Sequence, residues 1–541
     1  MENIRFVLIV VLSMVSLMLW EAWQADYGPK PEVPAQTAID ANGNPINIGT
    51  ENNQEDSELP LSEATANNII TVTTDVYRLE IDTQGGTLRN LDLLDYSVVK
   101  GEEQKIRLFD SSTEKLFLGQ SGLLSSGTST KLPNHNVALN SVQSRYQLND
   151  GENTLDVPLT WTDGNGLSYT KTYTFTRGSY VIKLAQEVTN NSANDWTGRQ
   201  YTQLLRVPHS DGKGNTFIRT FSGAVVYTEE EKYQKIDYDD MAEEDLKTKS
   251  VGGWSAMIQH YFATAWVPPA EDEEHYFTKE LSNQRFVIGS YSNPATVAAN
   301  TSAVFSSQLF TGPKIQPMME AVAPGLELTV DYSWLTVIGK PIYALLNWIH
   351  DNVVNNWGFS IMGVTLCIKA LFFPLSAASY KSMAKMRKLQ PRLAQLKESY
   401  GDDRQRFNEE MMGLYRKEKV NPMGGCLPIM VQIPVFISLY WVLIETVELR
   451  QAPFLLWIHD LSVKDPYFVL PVIMGITMFL QQRLNPAPVD PLQAKIMRMF
   501  PIVFTVFFLF FPAGLVLYWV TNNTLSIMQQ WYITNKIVGK D

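Results

Sequence analysis

Hydrophobic and polar positions change rhythm along this chain. Residues 6–20 form an uncharged apolar run, with Arg5 before it and Glu21 and Asp26 after it. The sequence that follows, Trp20-Glu-Ala-Trp-Gln, lacks the small-x-small pair of a cleavage site, so a retained membrane anchor is expected over 1–23. Residues 24–68 are rich in Pro, Asn, Gln and acids and offer little to bury, which predicts a flexible linker. From residue 69 the period drops to two, as in Ile70-Thr-Val-Thr-Thr-Asp-Val-Tyr-Arg-Leu-Glu-Ile81 and Tyr169-Thr-Lys-Thr-Tyr-Thr-Phe-Thr176, with Gly85-Gly86 as punctuation. Many such short runs predict an all-β sandwich over 69–330. The acidic stretch 229–245 reads as an exposed loop.

Beyond residue 330 the period becomes helical. Ile338, Ile342, Leu345, Leu346, Ile349 and Val353 recur on one face, flanked by Trp334, Trp348 and Trp357. This predicts an amphipathic helix over 331–355 lying on a membrane–water interface, with a buried core helix as the alternative. Four long apolar stretches follow, over 359–375, 427–444, 466–482 and 499–535. The last is too long for one crossing, and Pro512-Ala-Gly514 interrupts it. Two antiparallel spans are expected, 500–511 and 513–533, the first only about 18 Å long and therefore tilted or in a thinned bilayer. One long tilted helix is the alternative. Between the first two stretches, residues 377–420 predict a helical hairpin. Met386, Leu389, Leu393 and Leu396 mark one arm, Phe407, Met411 and Leu414 the other, and Gly401-Asp-Asp403 the turn.

Charge orients these elements. Residues 381–419 hold 11 Lys and Arg, which places the hairpin in the cytoplasm by the positive-inside rule. Arg483, Lys495 and Arg498 put a second loop on the same side, whereas 448–465 has only Arg450 and Lys464. The expected topology has six spans, both termini cytoplasmic, and 24–355 in an outer compartment such as a periplasm. Residues 51–330 hold 37 acids against 22 bases in a chain of net charge −12, so nothing predicts direct nucleic-acid binding. The two cysteines, Cys367 and Cys426, lie outside the β region, which excludes a disulfide scaffold there. No phosphate-loop motif, metal-ligand cluster or nucleophile–base arrangement is evident, so no catalytic residue, metal or cofactor is expected. Asp239-Asp240 has neither a sugar platform nor histidines beside it, and a glycosidase or metal reading fails on that ground.

Lys369 is the only charge between Asp351 and Lys381. A charge at membrane depth costs about 2.5–3.5 kcal/mol or more and needs a partner or a wet cavity. Thr365 lies one turn before it on the same face. Gln432 interrupts the second stretch. In the last, Tyr518, Asn522 and Ser526 fall four residues apart, with Trp519 beside them. These residues permit a shared hydrophilic groove. Interhelical hydrogen bonding, and for Lys369 snorkelling to the cytoplasmic end, are the alternatives. Met383, Met386, Met411 and Met412 offer an adaptable binding surface on the hairpin, a self-packed hairpin being the alternative.

Several strings occur in order: Asn356-Trp-Gly-Phe-Ser360, Tyr380-Lys-Ser-Met-Ala-Lys-Met-Arg-Lys-Leu-Gln-Pro391, Asn421-Pro-Met-Gly-Gly-Cys-Leu-Pro428, Gln432-Ile-Pro-Val-Phe436, Val447-Glu-Leu-Arg-Gln-Ala-Pro453 and Phe511-Pro-Ala-Gly-Leu-Val-Leu-Tyr518. Together they resemble the YidC family of membrane protein insertases, in its Gram-negative form, over nearly the whole chain. The core also resembles the Oxa and Alb members. The resemblance implies a β-supersandwich for the outer domain and a five-span core in 356–541 whose groove is open to cytoplasm and lipid but closed to the outside. It implies that Lys369 stands where the family has an arginine, and that Thr365, Gln432, Tyr518, Trp519 and Asn522 fall at groove-lining positions. It also implies that the hairpin receives substrates, and that the partners are nascent membrane proteins, the Sec translocon and the lipid bilayer. Many relatives have a long basic C-terminal tail that helps ribosome contact. This chain ends at Asp541, so weaker tail-mediated ribosome binding is expected. A small-solute or ion transporter using Lys369 is the competing reading. It predicts intramembrane acids or inverted repeats, and neither is evident.

Overall fold

The computed structural model describes residues 68–125, 133–208, 220–400, 403–418, 420, 427–485 and 491–537. The expected anchor, the linker up to residue 67, Cys426 and the Gly401-Asp402 part of the hairpin turn lie outside them. The described residues divide into two compact units, one ending at Val330 and the other beginning at Asp331.

The first unit is a β-sandwich. Its described strands build one sheet of eleven and one of eight. Pairing is antiparallel throughout except where Ile69–Thr73 runs parallel to Arg145–Gln147. Strand Leu167–Thr176 shows why the layers form. Leu167, Tyr169, Lys171, Tyr173 and Phe175 point inward while the threonines and Ser168 between them are half-exposed. Leu79, Ile81, Leu88 and Leu91 from the larger sheet share one core with Tyr173, Phe175, Ile182, Leu184 and Trp266 from the smaller.

The pleat also forces Lys171 inward, where it is 0% exposed. Its ammonium reaches across to the other sheet, donating to Gly85 O at 2.7 Å and Ser121 O at 2.9 Å. Tyr173 Oη donates to Gly86 O at 2.7 Å. Gly85 and Gly86 have φ near +67° and +65°, which glycine adopts without strain.

The acidic stretch is not a loop. Strand Lys232–Ile236 pairs with Gly223–Thr228, and helix α1, Tyr238–Glu243, follows. Met241 is 1% exposed and anchors α1, so one buried apolar residue overrides the run of acids around it. A second short helix, α2 (Gln316–Val322), follows the last strand.

The second unit is helical: α3 (Thr336–Asn352), α4 (Trp357–Leu371), α5 (Phe373–Tyr400), α6 (Arg404–Lys417), α7 (Leu427–Glu445), α8 (Val469–Leu484), α9 (Pro491–Phe508) and α10 (Ala513–Tyr532). In α3, Ile342, Leu346 and Ile349 are buried while Val337 and Trp348 on other faces are exposed. Among the described residues no single helix is long and apolar enough to cross a membrane. The pair α4 and α5 meets that test together, bent by 68°. The stretch expected as one span over 359–375 therefore breaks at Phe372. Pro374 lacks the N–H that would continue the helix in line, but fits the first turn of a new one.

The last stretch does form two helices, separated at 509–512. The first helix is longer than the apolar arm expected, of which it contains only the uncharged residues 500–508. Helix α9 has 18 residues, about 27 Å, because it starts before Lys495 and Arg498 and carries them on its first turns.

Candidate functional site

Asn356 starts α4. Its side chain accepts from Phe359 N at 3.2 Å and its amide approaches the carbonyls of Pro453 and Phe454. The Phe454 ring lies so close to Gly358 that a Cβ there would sit 2.1 Å from it. Ile361 and Val364 are fully buried. One turn further, Thr365 is buried and donates to Ile361 O in its own helix, which satisfies it without a partner across the bundle.

Lys369 is 3% exposed, so it does not snorkel to the helix end. Its ammonium donates to Ser526 Oγ at 2.8 Å, and Ser526 Oγ in turn donates to Asn522 O at 2.7 Å. Gln529 Nε2 donates to Lys369 O at 3.3 Å, and the Tyr380 hydroxyl lies near Ser526. The structure thus joins Lys369 to Ser526, and to Asn522 only through its backbone. Tyr380 and Gln529 are members of this cluster that the sequence reading missed. Tyr380 stands in a quoted string, and Gln529 follows Ser526 by one helical turn, so spacing was a usable signal for the second.

Tyr518 and Trp519 belong to a different patch. The Phe436 ring of α7 stacks on Tyr518 at 5.9 Å and meets Trp519 at 4.9 Å. Phe504 and Phe508 of α9 reach Trp519 at 6.4 and 5.7 Å. Gln432, half-buried, precedes Phe436 by one turn on the same face. Trp519 Nε1 and Ser438 Oγ are buried and have no hydrogen-bond partner among the described residues. A third face of α10 binds α8: Asn523 Nδ2 approaches Thr477 Oγ1 at 3.4 Å, and Gln530 Nε2 donates to Leu484 O and to Asn485 Oδ1.

The hairpin methionines divide. Met386 and Met411 pack on a core of Leu389, Leu393, Tyr415 and Val420, which favours the self-packed alternative for these two. Met412 is exposed and Met383 half-buried. Arg392 pairs with Glu418 across the hairpin base.

At the far end of α4, the segment between α7 and α8 folds into a tight cap that the sequence reading left without structure. Tyr343 Oη of α3 donates to Glu448 Oε1 at 2.7 Å. Burial raises the pKa of Glu448 above the ordinary carboxylate value. Among the described residues no group of three or more His, Cys, Asp or Glu side chains is placed to hold a metal ion.

Comparison with known proteins decides the family. The model for the YidC periplasmic domain matches residues 69–345, and that for the 60Kd inner membrane protein matches 348–540. Membrane protein insertase YidC from Methylococcus capsulatus is 57% identical over 546 residues, covering 99% of each chain. The chain belongs to the YidC family. The YidC protein of Nitrosococcus oceani is 48% identical, again over 99% of each chain. A solved YidC insertase with its first transmembrane domain resolved aligns with TM-score 0.38 at 18% identity, over 86% of this chain and 92% of the other. The β unit is thus a YidC periplasmic domain and the helical unit an inner-membrane part. These YidC relatives carry insertase names and lend the transporter reading no support.

Proposed function

We propose that this chain inserts integral membrane proteins into the bacterial inner membrane and helps them fold and assemble, alone or with the Sec translocon, without covalent chemistry or a cofactor. The observation that carries the mechanism is the buried Lys369–Ser526 contact between α4 and α10. A cation held at that depth by the neutral Ser526 hydroxyl, with its charge uncompensated by that partner, attracts acidic residues of an incoming chain. The unpartnered Trp519 N–H and Ser438 hydroxyl offer further polar contacts on the way. Together with Thr365, Gln432, Tyr518, Asn522 and Ser526 they line the proposed groove. A polar segment sheltered there has less hydrocarbon left to cross, and its apolar helix then leaves sideways into lipid, driven by burial of its side chains.

In this reading the chain has six spans with both termini cytoplasmic. Residues 1–23 are the anchor, 24–68 a linker, 69–330 a periplasmic supersandwich, 331–355 an interfacial helix and 356–541 the five-span core. The hairpin 377–420 receives nascent chains through Met383 and Met412 rather than through Met386 and Met411, which its own core occupies. Ribosome contact is a minor part of the reading.

The test is reconstitution. Purified chain in liposomes should insert a small substrate that needs no translocon, and photoreactive groups at positions 432 and 518 should crosslink to a stalled nascent chain. Failure to insert refutes autonomous insertion. Crosslinks only elsewhere move the substrate path out of this groove.

A further inference from the structure

Acids outnumber bases in the β unit, and two of its arginines take one: Arg89 pairs with Asp82 and Arg107 with Asp92, each at 2.7 Å. Arg206 does not. It ends strand Trp196–Arg206 and stands between two cross-strand neighbours, Phe117 on one side and Phe286 on the other, both part of the core between the sheets. Its guanidinium carbon lies 4.9 Å from the centre of the Phe117 ring, and the residue is 5% exposed. Nη1 is buried without a hydrogen-bond partner, and among the described residues no carboxylate pairs with the guanidinium. Tyr238, the first residue of α1, packs on Phe286 with ring centres 5.0 Å apart. Its hydroxyl is also buried and has no partner among the described residues, and it lies close enough for the Arg206 charge to act on it. A buried ion without a counter-charge is destabilising, and a buried hydroxyl without a partner adds to the cost. The Phe117 ring offsets part of this but accepts no ordinary hydrogen bond. Both groups are donors, and one anionic acceptor satisfies both.

We infer that Arg206 and Tyr238 form a binding site for a carboxylate on the β unit, floored by Phe117 and Phe286. The guanidinium fork matches the two oxygens of a carboxylate, and the tyrosine hydroxyl donates to one of them. Asp239 and Asp240 follow Tyr238 on α1 and set a negative field beside the site. That repulsion grows with the charge of the ligand, so a single carboxylate is favoured over a phosphate dianion. The aromatic floor favours a carboxylate next to an apolar group, on a small acid or in a peptide. The site lies in the β unit and is independent of the insertion mechanism proposed above.

The experiment is titration calorimetry on the full chain in detergent. The probes are phenylacetate, its uncharged amide phenylacetamide, inorganic phosphate, and an acetylated and amidated tripeptide with one aspartate between two phenylalanines. The parent should bind a carboxylate probe. Binding of phenylacetate assigns a small acid, and binding of the tripeptide alone assigns a peptide. Arg206→Met and Tyr238→Phe should each weaken binding roughly tenfold or more, as for loss of a hydrogen bond to a charged group. Without a probe, Tyr238→Phe should unfold at the temperature of the parent, and it covers the case in which Arg206→Met does not fold. Failure of the parent to bind either carboxylate probe overturns the site. So does phenylacetamide binding as tightly as phenylacetate, phosphate binding more tightly than both carboxylates, or Tyr238→Phe binding as the parent does. Binding that appears only in Asp211→Asn also overturns it, because a carboxylate of the chain itself then occupies Arg206.

Discussion

The β-sandwich should become more stable as pH rises above neutrality, and Lys171 should be the cause. Its side chain is 0% exposed and its two hydrogen bonds go to uncharged backbone carbonyls. Burial lowers the pKa of its ammonium from 10.5 to about 7. In the unfolded chain the amine has its ordinary value, so between about pH 7 and 10.5 the unfolded state binds more protons and stability climbs with pH. Below that window both states are protonated and the slope vanishes. Each pH step within the window contributes about 1.4 kcal/mol, which gives about 2–3 kcal/mol between pH 7 and 9. Pulse proteolysis of the detergent-purified full chain in urea, read on the surviving β unit, measures this. The parent should gain that amount relative to Lys171→Met over the interval. At low pH Lys171→Met should lose little or gain, because the loss of two hydrogen bonds is offset by removal of a buried charge. Parallel pH curves for the two proteins would refute the reasoning, since they would mean that Lys171 titrates as an exposed lysine does.

Glu274, 1% exposed, is raised by burial to about 7, the opposite sign. Its contribution is complete below about pH 4.5 and is lost by about pH 7, so Glu274→Gln should flatten a fall of about 3 kcal/mol in the same proteolysis assay. Lys369→Arg should retain insertion, whereas Lys369→Met should weaken it most for substrates with acidic translocated segments, measured by protease protection in liposomes. Normal insertion of every substrate by Lys369→Met would reduce Lys369 to a packing residue. Gly358→Ala would bring a methyl into the Phe454 ring, so thermal unfolding should show a loss of about 1–3 kcal/mol, the usual cost of overpacking. An unchanged unfolding profile would mean that Phe454 moves freely.

The sandwich was legible because a pleated strand alternates faces with every residue, and strand Leu167–Thr176 shows that alternation in full. The same rule hid Lys171, which a reading by polarity puts on the surface and a reading by register puts in the core. Helix positions were legible for a similar reason, but not their ends. Pro374 restarts a helix that hydropathy alone continues, and α9 begins among charges that hydropathy discards. Lys369 and Ser526 were both named from intramembrane polarity, yet polarity does not say which helix faces which. Tyr518 and Trp519, named together with the lysine, make their ring contacts with Phe436 of α7, which polarity did not reveal. The cap was least legible of all. Its contacts are backbone carbonyls, the Asp465 carboxylate, a glycine and one tyrosine hydroxyl, none of which has a periodic signature.

These contacts distribute rigidity unequally along the core, and the proposed mechanism needs that inequality. Toward the segment 446–468, backbone hydrogen bonds from Ala513 and Gly514 hold α10 and close packing of Phe454 on Gly358 holds α4, beside side-chain bonds from Asn356 and Tyr343. Toward the hairpin, the contacts of the same two helices include side-chain bonds from Lys369 to Ser526 and from Gln529 to Lys369 O. Side-chain hydrogen bonds exchange for water or for a substrate's polar groups at small net cost, whereas backbone and packing contacts have no such substitute. In the proposed mechanism a chain arriving from the hairpin side meets side-chain groups that can change partners, and further in it meets mainly backbone and packing contacts. The proposed mechanism uses that gradient: a polar segment would enter part-way and stop, and the apolar segment behind it would find its lowest free energy in the lipid alongside.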